Sequence, residues 1–123
     1  MDNELDLIKH RIKNDRDEIS RKLAYWKFKS KTFAFVHGYF DTLTKEVLDY
    51  LANASNETNR LIVGVRSDRL AEEAGRSLKN NETDRAMLVA SLRFVNIVVI
   101  LDEPVEGMVA FLNPDILPEA SEF

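Results

Sequence analysis

The chain predicts an α/β domain, an open parallel sheet flanked by helices, and three observations carry that expectation. Thr32 to Val36 is a short run of aromatic and β-branched residues, the composition of a strand covered on both faces. Gly38 then breaks the run, and Leu43, Val47, Leu48 and Leu51 recur at helical spacing, with Lys45, Glu46 and Asp49 on the other face. Strand, glycine break and amphipathic helix in that order make the first βα unit. The third observation is size: 123 residues suffice for one hydrophobic core and are too few for two.

In front of this unit, Leu5, Ile8, Ile12, Ile19, Leu23 and Trp26 fall on one helical stripe. The spacing predicts a single amphipathic helix. Its polar face mixes acids and bases, Asp15 to Glu18 followed by Arg21 and Lys22, which suits a solvated surface with i,i+4 pairs. Packing on its own domain is the preferred reading, with a homodimer or another protein partner as the alternative. His10 falls on the polar side as a surface residue. Lys27 to Lys31 reads as a solvated basic connector. The expected division is therefore residues 1–30 as helix and connector and residues 31–123 as the α/β domain.

Composition narrows the functional classes. With 45% apolar and 31% charged residues, and no apolar run near bilayer length, the chain is neither disordered nor membrane-spanning. Met1 to Asp6 is acidic and no apolar leader follows, so a cytoplasmic location and no membrane contact are expected. The absence of cysteine excludes disulfides, thiol catalysis and cysteine-bound zinc. A net charge of −4 argues against a nucleic-acid partner. Only His10 and His37 are present, so no histidine-rich metal site is expected.

Gly38-Tyr39-Phe40-Asp41-Thr42-Leu43 resembles the first half of a signature of the nucleotidylyltransferase superfamily that includes glycerol-3-phosphate cytidylyltransferase and the adenylyltransferase domain of ADP-heptose synthesis. Members follow it with His-x-Gly-His at a helix start. Here those positions hold Thr44-Lys45-Glu46-Val47, without either histidine. Further segments match in family order: RLIVGVRSD (60–68) as the second strand and its loop, NETDRAMLVASLRFV (81–95) as a helix opened by an acid and an arginine, and NIVVILD (96–102) as the next strand. A short helix over 104–112 and a strand over 113–117 complete the resemblance. It implies a Rossmann-like sheet and, in active members, transfer of a nucleotidyl group with Mg²⁺ as cofactor.

The resemblance also identifies what is missing. Two histidines three apart share a helical face, where they assist a helix N-terminus in stabilising phosphate charge. Thr44 retains a hydroxyl, Val47 offers nothing polar, and Glu46 replaces a glycine with bulk and negative charge. Lys45 offsets that charge if it folds back. The loop after the second strand reads Leu70-Ala71-Glu72-Glu73-Ala74-Gly75 where active relatives often have lysine, leaving Lys79 as a displaced substitute. Pro118 to Glu122 lacks the family's glycines.

The candidate ligand contacts are Gly38, Phe40, Asp41, Arg66, Ser67, Asp68 and Arg85, with His37 and Thr44 as weak catalytic candidates. Each has a structural alternative. Gly38 reads as a turn glycine or a point of close ligand approach, and Phe40 as a core aromatic or a base-stacking ring. Asp41 reads as a ligand contact or a helix N-cap, and Asp68 as a cap or a ribose contact. Arg85 either pairs with nearby acids or neutralises phosphate. His37 ends its strand, where open α/β sheets bind ligands. The preferred function is a ligand-binding or subunit-interaction module without normal catalysis. The alternative is an active transferase moving a nucleotidyl group from CTP or ATP to a small phosphorylated substrate.

Overall fold

The computed structural model describes residues 3–123. Its elements run α1 (Glu4–Lys9), α2 (Arg16–Phe28), β1 (Phe33–Gly38), α3 (Lys45–Asn56), β2 (Arg60–Arg66), α4 (Asp68–Glu73), α5 (Glu82–Ala90), β3 (Ile97–Leu101) and α6 (Val105–Leu112). The three strands form one sheet in the order β1-β2-β3, all parallel, with Phe35 opposite Ile62 and Ile62 opposite Ile97. This is the Rossmann-like open sheet that the sequence predicts.

Both faces of the sheet are covered, so its strands are almost wholly apolar. Ala34, Val36, Val63 and Val65 point into a core closed by Val47 and Leu51 of α3 and Ala86 and Val89 of α5. Phe33, Phe35, Ile62, Ile97 and Val99 point the other way, against Ile19 and Trp26 of α2 and Leu112 of α6. Gly64 permits this packing, because a Cβ there would lie 2.7 Å from Leu101 Cδ1 and 3.0 Å from Phe35 Cζ. In α3 the apolar face is Val47, Leu51 and Ala54, whereas Leu48 is partly exposed and Leu43 precedes the helix.

The N-terminal segment makes two helices rather than the single one its stripe predicts. After α1 the chain straightens and crosses the outer edge of β3. Lys13 N–H donates to the Val98 carbonyl (2.9 Å), Val98 N–H to the Arg11 carbonyl (2.8 Å), and Ile100 N–H to Asn14 Oδ1 (3.2 Å). Ile12 thereby forms a parallel bridge with Val98. The physical cause is the edge strand: its N–H and C=O groups need partners, and a continued helix would leave them bare. Asp15 then caps α2 through Asp17 N–H. Thus α1 joins the α3/α5 face while Ile19 and Trp26 of α2 are buried in the other.

At the opposite edge, the strand expected at 113–117 is reduced to one bridge, Ile116 with Ala34. Pro114 and Pro118 flank it without N–H groups to extend a ladder, and Asn113 is left-handed (φ 50°). Asp115 compensates by accepting from Phe33 N–H at 2.9 Å. Across the sheet the order is therefore Ile116, β1, β2, β3, Ile12.

Candidate functional site

The strand order reverses beside β1. Chain order runs from β1 outward to β3, and α6 then returns the chain to the other side of β1 at Ile116. In open α/β sheets the carboxyl ends of the strands at such a reversal form the ligand crevice. His37, Gly38, Tyr39, Phe40 and Asp41 lie there, at the end of β1.

At this end the polar groups are largely engaged with one another. Thr44 is the N-cap of α3, its hydroxyl accepting from Val47 N–H at 3.2 Å. Lys45 does not fold back toward the crevice; its ammonium pairs with Asp49 at 2.8 Å. Glu46 is exposed and Val47 is buried. Of the four positions that align with His-x-Gly-His, Thr44 caps the helix, Lys45 is paired with Asp49, and Glu46 and Val47 carry no donor side chain.

Asp41 does not cap α3. Its carboxylate accepts from Lys79 N–H and Asn80 N–H, both at 2.9 Å, while Asn80 Nδ2 donates to its carbonyl at 2.8 Å. These bonds, led by that from Lys79, hold its carboxyl below the ordinary carboxylate value. Asp41 thus anchors the loop that precedes α5. Asn81 caps that helix through Asp84 N–H.

Arg85 is fully buried and forms a hub. Nη1 donates to the carbonyls of Tyr39 (2.8 Å) and Arg66 (2.7 Å), Nε to that of Asn80 (3.0 Å), and Nη2 to Asp68 Oδ1 (2.7 Å). It does pair with an acid, but with Asp68 rather than its neighbours Glu82 or Asp84. Asp68 is in turn not a cap. Ser67 caps α4 by accepting from Leu70 N–H (3.2 Å), and its own hydroxyl donates to Asp102 at 2.7 Å. That bond, followed by those from Arg69, lowers the Asp102 pKa.

His37 and Arg66 form the remaining polar pair. Arg66 Nη2 donates to His37 Nδ1 at 3.0 Å, which fixes the imidazole as neutral with its proton on Nε2. Burial, and then the Arg66 charge, hold the His37 pKa below its ordinary 6.5, with Glu106 opposing. The Arg66 guanidinium also lies 5.5 Å from the Tyr39 ring centroid and that of Arg76 4.6 Å from it. Tyr39 and Arg76 were missed by sequence reasoning, although Tyr39 sits inside the quoted Gly-Tyr-Phe-Asp motif. Beside them is an open cleft of about 390 Å³, lined by Tyr39, Arg66, Glu73, Leu101, Glu103 and Glu106.

Phe40 is a core residue with a left-handed backbone (φ 52°) and no exposed surface. Gly38 ends β1 as a strand residue rather than a positive-φ turn. Its close approach is to the chain itself: an added Cβ would lie 3.0 Å from Phe40 Cζ and 3.3 Å from the carbonyl carbon of Phe123. Residues 119–123 cover this side of the crevice. Phe40 N–H donates to the Phe123 carbonyl (2.8 Å), Ser121 Oγ to that of His37 (3.4 Å), and Tyr50 OH to that of Glu119 (2.9 Å).

Among the described residues no group of three or more histidine, cysteine or acidic side chains is placed to hold a metal ion. Mg²⁺ commonly needs one or two carboxylates together with substrate phosphates. Asp41 and Asp68 are committed to N–H groups and to Arg85, so neither is free to hold that ion. No helix among the described residues is long and apolar enough to cross a membrane.

No family model matches the chain. It is 36% identical over 96 residues to the bifunctional protein HldE of Campylobacter fetus subsp. fetus, covering 76% of the chain and 21% of that protein. The bifunctional protein HldE of Campylobacter jejuni (strain RM1221) is 36% identical over 117 residues, covering 92% of the chain and 24% of the relative. The chain thus spans less than a quarter of the length of these relatives. A lipopolysaccharide core biosynthesis protein from Thermoplasma volcanium GSS1 shares the fold, with a TM-score of 0.67, 24% identity, and coverage of 71% of this chain and 72% of that one. Motif order, relatives and fold agree that the chain belongs to the nucleotidylyltransferase-like superfamily, with both histidines of its signature replaced.

Proposed function

We propose that this domain is a divergent nucleotidylyltransferase-like module that binds a nucleotide or small phosphorylated ligand, or a partner subunit, without normal nucleotidyl transfer. The observation that carries this reading is the state of residues 44–47: a capping hydroxyl, an ammonium paired with Asp49, an exposed carboxylate and a buried valine. Removal of one well-placed donor costs about a hundredfold or more in turnover. Loss of both histidines together with the added charge of Glu46 is therefore incompatible with ordinary rates.

Gly38, Phe40, Asp41, Arg66, Ser67, Asp68 and Arg85 take unequal parts in this reading. Arg66, beside the open cleft, is the cation best placed for an anionic ligand, with His37 behind it. Asp41, Ser67, Asp68 and Arg85 position the loops around it. A second reading, drawn from the relation to HldE, is a surviving transferase that moves a nucleotidyl group from CTP or ATP to a small phosphorylated substrate with His37, Thr44 and Arg85 as substitute groups. Thermal shifts with CTP, ATP and sugar phosphates, with and without Mg²⁺, test the binding reading, since a ligand selective for the native state raises its melting temperature. A selective shift that is lost in Arg66→Ala supports it. No shift across the panel removes the nucleotide pocket and leaves only the subunit-interaction role.

A further inference from the structure

The amino ends of the strands carry a surface unrelated to the crevice. Between Glu18 and Asp41 the sequence contains no acid, yet it holds Arg21, Lys22, Lys27, Lys29 and Lys31, in a chain whose net charge is −4. All five are exposed, and among the described residues none forms a salt bridge. The connector is not loose. Ser30 adopts a left-handed conformation (φ 57°), and Lys31 N–H and Ser30 N–H close the end of α2 on the Trp26 and Lys27 carbonyls at 2.8 and 3.0 Å. The lysines are therefore held at a defined corner, just before β1.

Two aromatic side chains stand among these cations. Phe28 is 81% exposed and Tyr25 54% exposed, with the Lys29 ammonium 6.0 Å from the Tyr25 ring centroid. Arg21, Tyr25 and Phe28 share one face of α2 by their i, i+4, i+7 spacing. The inner face is already used, since Ile19 and Trp26 are buried in the core. Exposed aromatics among unpaired cations match the interfacial zone of an anionic bilayer, where aromatic rings settle at headgroup level and each basic residue contributes electrostatic attraction.

We propose that this corner, led by Phe28, Lys27, Lys29 and Lys31, docks the protein peripherally on an anionic lipid surface. Glu103 and Glu106, exposed at the opposite end of the sheet and without salt bridges among the described residues, orient the molecule. They are repelled by the same membrane, so the crevice faces away from it. A second copy also offers acids to this corner. However, a basic corner laid on the acidic end of another copy is a head-to-tail contact that does not close into a symmetric dimer, whereas a lipid surface engages the cations and both aromatics at once. This extends the sequence-based expectation, which foresaw only a solvated connector and no membrane contact.

The test is co-sedimentation of the purified chain with phosphatidylcholine vesicles, either pure or containing roughly a third phosphatidylglycerol. The protein is expected to bind only the anionic vesicles and to be released by about 1 M salt, where the Debye length shrinks to about 3 Å. With about fivefold per cation, Lys27→Gln, Lys29→Gln and Lys31→Gln together should reduce partitioning by about a hundredfold. Phe28→Ser should weaken it at unchanged charge, and it also provides the test should the triple variant fail to fold. Equal binding to both vesicles, no binding to either, or unaltered binding by the variants overturns the proposal. Self-association without lipid that the same lysine substitutions abolish would assign the corner to a second copy. Capture of polyglutamate as strongly as of anionic vesicles would assign it to an acidic polypeptide. Either result also overturns it.

Discussion

The carboxyl end of the sheet and its amino end treat charge in opposite ways. At the carboxyl end, Asp41, Asp68, Arg85, Ser67 and Asp102 satisfy one another and the neighbouring backbone. At the amino end, Lys27, Lys29 and Lys31 are exposed beside Phe28 and without carboxylate partners among the described residues. The contrast teaches where a domain of this fold can still act. Polar groups that hold loops together are not free for chemistry, whereas unpaired charge at a fixed corner is available to a partner.

Substitutions that break the contrast from the core outward have the largest effects. Ile19→Asp should abolish folding, because Ile19 is fully buried in the sheet's own core; loss of the cooperative urea transition is the expected result. A folded but dissociated protein, the outcome to expect of a helix that served only a partner, would contradict this placement. Arg85→Met comes next. It leaves the Tyr39 and Arg66 carbonyls without their partner and should cost about 3 kcal/mol or more, read as a shift in the urea midpoint.

Smaller effects are expected at the start of α3. Thr44→Ala removes the cap of α3 and should cost about 1 kcal/mol of stability. If Thr44 is only a cap, ligand shifts measured from the variant's own baseline should not change; a loss of ligand response would restore it as a site residue. Glu46→Gly should strengthen nucleotide binding if its charge faces a bound phosphate, which calorimetric titration against ATP and CTP checks.

The smallest effect is a pH dependence. His37 has a folded pKa below 6.5, so the unfolded chain binds more protons than the folded one as the pH falls. Stability is therefore retained above about pH 6.5 and declines below it through this group. Asp41 and Asp102, both lowered, add losses only under more acidic conditions. Melting temperatures of the wild type and His37→Asn between about pH 5 and 8 separate the contributions: the difference between the two proteins should change with pH only below about 6.5.

The legible parts of this molecule were those set by local pattern or by family order. Thr32 to Val36 announces a strand because a doubly covered strand is apolar throughout, and Arg60 to Asp68 reads as strand and loop through its likeness to the family's second strand. The break after α1 was hidden, because Ile12 stays on the helical stripe and only the distant edge of β3 draws it into a bridge with Val98. Caps were ambiguous for a similar reason. Asp41 and Thr44 are both good N-cap residues, as are Ser67 and Asp68, and the choice depends on Lys79, Asn80 and Arg85 far along the chain. The candidate site was legible as a location and as a missing motif. How its polar groups are engaged follows from contacts that no local spacing records.

Residues 44–47, as they are arranged here, should no longer support nucleotidyl transfer. The decisive measurement is pyrophosphate release from ATP and CTP with Mg²⁺ and a panel of sugar phosphates and glycerol 3-phosphate. No release above the protein-free rate is expected, in the wild type and in Thr44→Ala alike. Release that scales with protein concentration and falls in Thr44→Ala would contradict that expectation and make the domain an enzyme with a substituted catalytic group.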